Sequence, residues 1–101
     1  MARVVRQIEF APRFKRDFRF ASKHPDYNRD DFLQLLEDLQ LHDVLPVHYR
    51  EHDLGKRAIN WAGFKEAHLG PDLVVIFKRF PRVVWMHRIG GHRAMFAATK
   101  K

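Results

Sequence analysis

Residues 64 to 77 read Phe-Lys-Glu-Ala-His-Leu-Gly-Pro-Asp-Leu-Val-Val-Ile-Phe, and this stretch predicts two adjacent β-strands. Residues 64–69 alternate in polarity, as a half-buried strand does, whereas 73–77 are continuously apolar, as a central strand is. The Gly-Pro-Asp sequence between them is typical of a tight turn. Because His68 ends the first strand and Asp72 begins the second, we expect both side chains near one edge of the sheet.

Two helices and two further strands are predicted around this pair. The β-branched-rich segment 4–10 alternates in polarity and predicts a first strand. Apolar residues at helical spacing predict a helix over 13–23, and Asn28 is a suitable N-cap for a second helix. Residues 83–86, or slightly more, form the last strand. The order β-α-α-β-β-β predicts one α+β domain over residues 1–101, with two N-terminal helices packed on a mainly antiparallel sheet.

The charge of the chain is strongly positive and unevenly distributed. The net charge is +7 at pH 7, and the calculated pI is about 10.3. Six of the twelve acidic residues lie between positions 26 and 43, and none lies after Asp72. A polyanion such as RNA could lie against so basic a C-terminal segment, whereas a charge that served solubility alone would mix the signs more evenly.

The composition disfavours several classes of protein. The chain has no cysteine, which excludes disulfides and thiolate metal sites and fits a reducing cytoplasm. No apolar run approaches the roughly 20 residues of a membrane span. Residues 1–6 lack the pattern of a signal peptide. We therefore expect a cytoplasmic protein that does not act at a membrane.

The side chains of the second half are suited to cleaving RNA without a metal. One group must take the proton of a 2′-hydroxyl, a second must protonate the departing 5′-oxygen, and a cation must stabilise the phosphoryl oxygens. Histidine suits both proton transfers because its reference pKa is about 6.5. The candidates are His52, His68, Asp72, His87 and His92, with Arg88 and Arg93 as cations.

Several side-chain assignments stay open on sequence alone. Glu66 is predicted to be a surface carboxylate or a salt-bridge partner. His87 and Arg88 alternate on the last strand, so only one of them can face a site beside His68; either Arg88 is the phosphate clamp there and His87 is structural, or the reverse. The pair Gly90-Gly91 is predicted to turn the chain sharply. Three aromatic residues either pack in the core or stack on unpaired bases, namely Tyr49, Trp61 and Phe96.

A metal site is not expected. His48 and His52 are four residues apart, which is the spacing of two ligands on one helix face. Pro46 and Gly55 bracket them too closely for a helix, and the chain has no His-Glu-x-x-His sequence.

Three stretches carry a resemblance to a known family. They read Glu-His-Asp-Leu at 51–54, Gly-Phe-Lys-Glu-Ala-His-Leu-Gly-Pro-Asp-Leu at 63–73 and Arg-Ile-Gly-Gly-His-Arg-Ala-Met-Phe at 88–96. Together they resemble the YafQ branch of the RelE toxin superfamily, the toxins of type II toxin–antitoxin pairs. The resemblance covers the C-terminal half closely and the helical half in layout, and it implies a RelE-like fold.

The resemblance also implies an activity and partners. It implies a ribosome-dependent endoribonuclease that cleaves messenger RNA, needs no metal or other cofactor, and is silenced by a cognate antitoxin protein. DNA would be reached only through the toxin–antitoxin complex. The residues that match the family's proposed acid–base positions are His52, His68, Asp72 and His92. The candidates for substrate binding are Lys56, Arg57, Lys65, Arg88, Arg93 and Phe96.

The chain departs from the family pattern at three positions. Leu73 stands where Trp is frequent, Gly91 where Ser or Thr is usual, and Met95 in place of Leu. The first change removes a possible stacking surface. The second removes a hydroxyl that could orient the neighbouring histidine or contact RNA.

Two other functions fit the same sequence. The chain could be a non-enzymatic module that docks on RNA, the ribosome or DNA, in which case the histidines are incidental. It could also be a degenerate toxin that keeps the fold and the antitoxin partner without activity, and the changes at Leu73 and Gly91 keep this alternative open.

Overall fold

The structure is a computed structural model that describes residues 5–55 and 61–97, the last two as backbone alone. In these ranges the chain forms one sheet, of strand order β1-β5-β4-β3-β2, and three α-helices. The elements are β1 (Gln7–Phe10), α1 (Pro12–Ala21), α2 (Arg29–Leu41), β2 (His52–Asp53), β3 (Lys65–His68), β4 (Leu73–Arg79), β5 (Val83–Gly91) and α3 (His92–Ala97). A single 3₁₀ turn at Val47–Tyr49 precedes β2.

The predicted fold class is confirmed. β1 is parallel to β5, and all other neighbouring strands are antiparallel. The structure adds two elements to the predicted order, the two-residue strand β2 and the short helix α3. No helix within the described residues is both long and apolar enough to span a bilayer.

Local sequence explains where the two long helices begin. Pro12 occupies the first turn of α1, where its missing N–H would have no helical partner. The side chain of Asn28 caps α2 as predicted, because its Oδ1 accepts a hydrogen bond of 3.0 Å from the backbone N–H of Asp31. Asp30 and Asp31 place negative charge in the first turn of α2, which the helix dipole favours.

The sheet has an apolar cluster on each face. On the inner face the helices cover side chains of β3, β4 and β5. On the outer face a smaller cluster forms, consisting of Leu54, Val74, Ile76 and Met95, with Trp61 and Phe64 packed against it. Tyr49 and Trp61 therefore both pack within the fold, and the Tyr49 hydroxyl donates a hydrogen bond of 2.8 Å to Asp38.

Strand β5 is longer than predicted and contains a bulge. Phe77 pairs with Met86 and Ile76 with Arg88, so His87 is the extra residue. The bulge changes which residues face inward, and both Met86 and Ile89 belong to the inner core.

The predicted turn at Gly90-Gly91 is wrong, because both glycines belong to β5. Instead, the absence of side chains at these glycines lets other groups come close to the strand. A Cβ on Gly90 would lie 3.3 Å from Met95 Cγ, and a Cβ on Gly91 would lie 2.8 Å from Asp72 Oδ2.

Candidate active site

Three of the four predicted acid–base residues surround the carboxylate of Glu66. His52 lies opposite Glu66 in the β2–β3 register, His68 follows two residues later on β3, and His92 begins α3. Glu66 Oε1 lies 3.0 Å from His52 Nε2 and 3.4 Å from His68 Nε2. Glu66 Oε2 lies 3.5 Å from His92 Nε2. We call these four residues the Glu66 cluster.

Glu66 is fully buried, so its prediction as a surface carboxylate is wrong, whereas its prediction as an ion-pair partner agrees with the contacts. On this outer face the β4 neighbour of Glu66, Ile76, belongs to the apolar cluster with Leu54 and Met95, so the face is packed rather than open to solvent. Both oxygens approach histidine nitrogens, yet neither forms a well-directed hydrogen bond within the described residues. Because a buried polar group is costly without partners, the three rings are the groups placed to compensate this carboxylate.

The ring of His52 has a defined orientation. Its Nδ1 lies 3.0 Å from the backbone carbonyl oxygen of Arg50, which can only accept, so Nδ1–H is the donor. A neutral ring then presents an unprotonated Nε2 to Glu66. Any proton shared by Glu66 and His52 is therefore bonded either to the carboxyl oxygen or to Nε2 of a doubly protonated His52 ring.

Arg50 fixes the opposite tautomer in His68. Its guanidinium Nη2 lies 3.2 Å from His68 Nδ1, and a guanidinium can only donate. The neutral His68 ring therefore carries its proton on Nε2, which faces Glu66. Burial lowers the pKa of His68, and the neighbouring Arg50 charge lowers it further against the opposing effect of Glu66.

The backbone of Arg50 is left-handed, with φ of 51°, and it is the one non-glycine residue with positive φ in the part of the chain that the structure describes. Such strain is concentrated at functional sites. Sequence reasoning did not identify Arg50, because nothing in the local pattern signals this conformation.

The side chain of Asp72 lies beside the Glu66 cluster and contacts a different histidine. Its Oδ2 is 2.9 Å from Nε2 of His24, in the joint between α1 and α2. The hydrogen bond with His24 lowers the pKa of Asp72. His92 links the two groups, since its backbone N–H donates to the carbonyl oxygen of Asp72 at 2.7 Å while its ring faces Glu66. Sequence reasoning gave His24 no functional role.

The residues predicted to bind substrate have varied environments. Arg88 forms a two-bond ion pair with Asp17, at 3.0 Å for each bond, and its side chain is 16% exposed. His87 packs against Phe64, with ring centroids 4.7 Å apart, which is a structural role. Arg93 is exposed on α3 and Lys65 is half-buried on β3. Lys56, Arg57 and the side chain of Phe96 lie outside the described residues.

Two clefts lie near Asp72, one beside its turn and one beside its contact with His24 and Gly91. One, of about 370 Å³, opens beside His68 and is lined by Arg50, Tyr49 and the residues of the turn. The other, of about 270 Å³, lies between α1, β5 and α3 and is lined by Arg13, His24 and Gly91 among others. An extended strand of nucleotides could thus approach both the Glu66 cluster and Asp72.

The donor set of the Glu66 cluster could also hold a cation. One ligand atom each from His52, Glu66 and His68 lies within 4.8 Å of the others. Two imidazoles and a carboxylate suit a transition metal such as zinc. The pair considered from sequence, His48 and His52, does not form this group, because the ring of His48 packs against Tyr49, tilted by 37° at a centroid distance of 4.0 Å.

Solved structures place this fold among RelE-like toxins. The crystal structure of the Escherichia coli DinJ–YafQ toxin–antitoxin complex superposes with a TM-score of 0.77 and 28% identity, covering 92% of this chain and 99% of that one. The Staphylococcus aureus YoeB–YefM complex shares the fold, with a TM-score of 0.66 and 14% identity over 90% of this chain and 99% of that one.

The particular family follows from the sequence comparisons. The family described as "Bacterial toxin of type II toxin-antitoxin system, YafQ" matches residues 6–97. A relative named mRNA interferase toxin YafQ, from Escherichia coli strain B / BL21-DE3, is 32% identical over 96 residues, 92% of this chain and 98% of its own length. The chain therefore belongs to the YafQ family of type II toxins, and the resemblance carried by the three motifs is confirmed.

Proposed function

We propose that this chain is an mRNA interferase, a ribosome-dependent endoribonuclease that cuts messenger RNA by metal-independent acid–base catalysis. The observation that carries the proposal is the Glu66 cluster, in which three histidines meet one buried carboxylate directly beside Asp72. Its relatives bear the name mRNA interferase, and the net charge of +7 suits a polyanionic substrate.

The proposed reaction needs two proton transfers. A base removes the proton of a 2′-hydroxyl, and the oxygen attacks the adjacent phosphorus as the bond from phosphorus to the 5′-oxygen breaks. An acid protonates that departing oxygen. The products are a 2′,3′-cyclic phosphate, which hydrolyses to a 3′-phosphate, and a free 5′-hydroxyl.

The side chains divide these tasks. Asp72 or one of the histidines acts as the base, and a second histidine, His92, acts as the acid. The side chains of His52 and His92 are 45% and 35% exposed, so RNA can reach both rings, whereas His68 is 15% exposed. Glu66 holds the three rings together and balances the charge of a protonated one.

Cations near the site hold the phosphates. Arg93 is exposed, and Arg50 stands at the cleft beside His68. Arg88 would first have to exchange its ion pair with Asp17 for a phosphate. Lys65, Lys56, Arg57 and Phe96 complete the proposed substrate-binding set.

The proposed partners follow from this reaction. The chain acts in the cytoplasm on ribosomes that carry messenger RNA, and it needs no cofactor. A cognate antitoxin binds the toxin and neutralises its basic surface with an acidic segment, and the toxin reaches DNA only within that complex.

Expression in bacteria, followed by mapping of cut sites on a translated message, tests the proposal. The parent should stop growth and cut the message, whereas His68→Ala and His92→Ala should do neither. His42→Ala is the matched control, because His42 lies at the end of α2 and its ring approaches Asp38 rather than the Glu66 cluster. Cleavage in purified translation reactions should persist when the toxin alone is first treated with EDTA and the EDTA is then removed, so that the ribosomes keep their Mg²⁺.

Three results would contradict the proposal. If both histidine variants stop growth as the parent does while Arg88→Ala and Arg93→Ala do not, the chain is a basic binder. If the parent binds its antitoxin but never slows growth, the chain is a degenerate toxin. If EDTA treatment of the toxin alone abolishes cleavage and zinc restores it, the reaction depends on metal.

A further inference from the structure

His24 lies outside the Glu66 cluster, and both of its ring nitrogens have partners. The backbone N–H of Asp26 donates to His24 Nδ1 at 3.0 Å. Because Nδ1 accepts, the neutral ring must carry its proton on Nε2. This nitrogen lies 2.9 Å from Asp72 Oδ2, so His24 donates a hydrogen bond to the carboxylate without needing a positive charge.

The joint that carries His24 also holds the backbone beside Asp72. Asp26 Oδ2 accepts hydrogen bonds from the backbone N–H groups of Asp72, at 2.8 Å, and Leu73, at 3.2 Å. Gly70 permits this approach, since a Cβ there would lie 2.6 Å from the Cβ of Asp26. The α1–α2 joint therefore fixes the backbone through Asp26 and the carboxylate through His24.

Gly91 leaves the space in which this pair meets. A Cβ at Gly91 would lie 2.8 Å from Asp72 Oδ2 and 3.8 Å from His24 Nε2. A larger residue would push the carboxylate from its position. The family pattern usually has Ser or Thr at position 91. In this chain Gly91 stands there, beside a carboxylate that receives its hydrogen bond from His24.

We propose that His24 is a positioning residue for RNA cleavage, which aims and holds the Asp72 carboxylate through its Nε2–H. The inference rests on the proposed function, and it adds a residue from the helical half to a site otherwise built by the sheet and α3.

The groups around the carboxylate agree with this role. The hydrogen bond from His24 is the main cause of the lowered pKa of Asp72, and the backbone N–H groups of Arg93 and His92 act in the same direction. The charged side chain of Asp26 shares the joint with His24 and is occupied by backbone donors. His24 is therefore the side chain that orients Asp72.

Two amide substitutions separate the role of His24 in orienting Asp72 from its role in shaping the joint. His24→Asn can still accept from the N–H of Asp26 but is too short to reach Asp72. His24→Gln can place an amide N–H near the position of Nε2. We expect His24→Asn to cut a translated message at least about 10-fold more slowly than the parent, which is part of what an acid–base group itself contributes. His24→Gln should recover most of that loss.

Combination with Asp72→Asn gives the second readout. If His24 acts through Asp72, adding His24→Asn to Asp72→Asn should slow cleavage no further, because the partner is already lost. His42→Asn is the matched control and should cut at the parent's rate. The thermal unfolding temperature of each variant is measured alongside its cleavage rate, and it should change little for His24→Asn.

Two outcomes overturn the inference. His24→Asn could cut at the parent's rate, or it could slow the Asp72→Asn variant by the same factor as it slows the parent. In either case the proposed function stands, because the parent still cuts. If the parent cuts no translated message, the proposed function fails, and the role of His24 in cleavage fails with it.

Discussion

Glu66 illustrates how one buried carboxylate organises the candidate site. It is fully buried, and its contacts reach three histidines on β2, β3 and α3. A buried ion pair seldom adds much stability, because removing charges from water costs about as much as their attraction returns. A role in function therefore explains this buried carboxylate better than a contribution to stability does.

Glu66→Gln should separate function from stability. The amide keeps the shape of the side chain but cannot balance a protonated ring, so we expect cleavage to fall at least about 10-fold. Stability should stay within about 1 kcal/mol of the parent, because the amide has nearly the same volume and can still contact the imidazole nitrogens. Cleavage assays and urea unfolding measure the two effects, and Glu37→Gln on the exposed face of α2 is the control. Unchanged cleavage by Glu66→Gln would refute the role of the carboxylate.

Arg50 combines backbone strain with a contact to His68. A left-handed backbone costs a non-glycine residue about 1 kcal/mol, which glycine avoids. Arg50→Gly and Arg50→Ala both remove the guanidinium from His68 Nδ1, so both should slow cleavage. Arg50→Gly should nevertheless be the more stable of the two by about 0.5–1 kcal/mol in urea unfolding. Equal stability would mean that the left-handed conformation carries no strain.

At the scale of elements, the hairpin of β3 and β4 followed directly from residues 64–77, because alternation, a continuous apolar run and turn residues agree there. The course of β5 did not follow. The bulge at His87 leaves no mark in the pattern, and Gly90-Gly91 has the composition of a turn. Only the packing of Met95 and Asp72 against these glycines shows why a strand contains them.

The candidate site was predictable in its residue types but not in its grouping. His52, His68 and His92 were identified, and Glu66 was placed correctly on the face of His68. That this face is packed depends on Leu54, directly after β2, and Met95 on α3, and both elements are too short to give a periodic signal. The contact of His24 with Asp72 joins residues 48 positions apart, and no local pattern reports such a contact.

The two glycines at the end of β5 should respond differently to alanine. In Gly90→Ala the new Cβ meets the flexible side chain of Met95 at 3.3 Å, so we expect cleavage near the parent's and a stability change below about 1 kcal/mol. In Gly91→Ala the Cβ meets Asp72 Oδ2 at 2.8 Å and must displace the carboxylate, so cleavage should fall about 10-fold. Equal rates for the two variants would contradict this account of β5.

Over the whole molecule, several carboxylates neutralise arginines within the fold. Asp17 pairs with Arg88, and Glu51 binds Arg79 through two hydrogen bonds. Among the described residues, most of the other Lys and Arg side chains are exposed. Such charge should make RNA binding weaker as salt concentration rises. This exposed charge has little effect on how stability depends on pH, because that dependence comes from buried groups.

The stability of the molecule should fall as the pH drops below neutral, because two partly buried histidines resist protonation. Burial is the main cause of the lowered pKa of both His68 and His87, and the charges of Arg50 and Arg88 add to it. Below the ordinary value of 6.5 the unfolded chain binds more protons at these positions than the folded chain does, so acid favours unfolding. Carboxylates with a lowered pKa, such as Asp72, lose their contribution only as the pH falls below the ordinary value of 3.8.

Urea unfolding at pH 7.5 and 5.5 measures this difference, and His87→Phe should reduce it. The phenyl ring can pack against Phe64 as the imidazole does but does not titrate. The substitution also removes the acceptor for Trp85 Nε1–H, which changes stability at both pH values and leaves the difference between them as the readout. His42→Phe, at the exposed end of α2, should keep the parent's difference. If the parent is equally stable at both pH values, protonation of these histidines does not oppose folding.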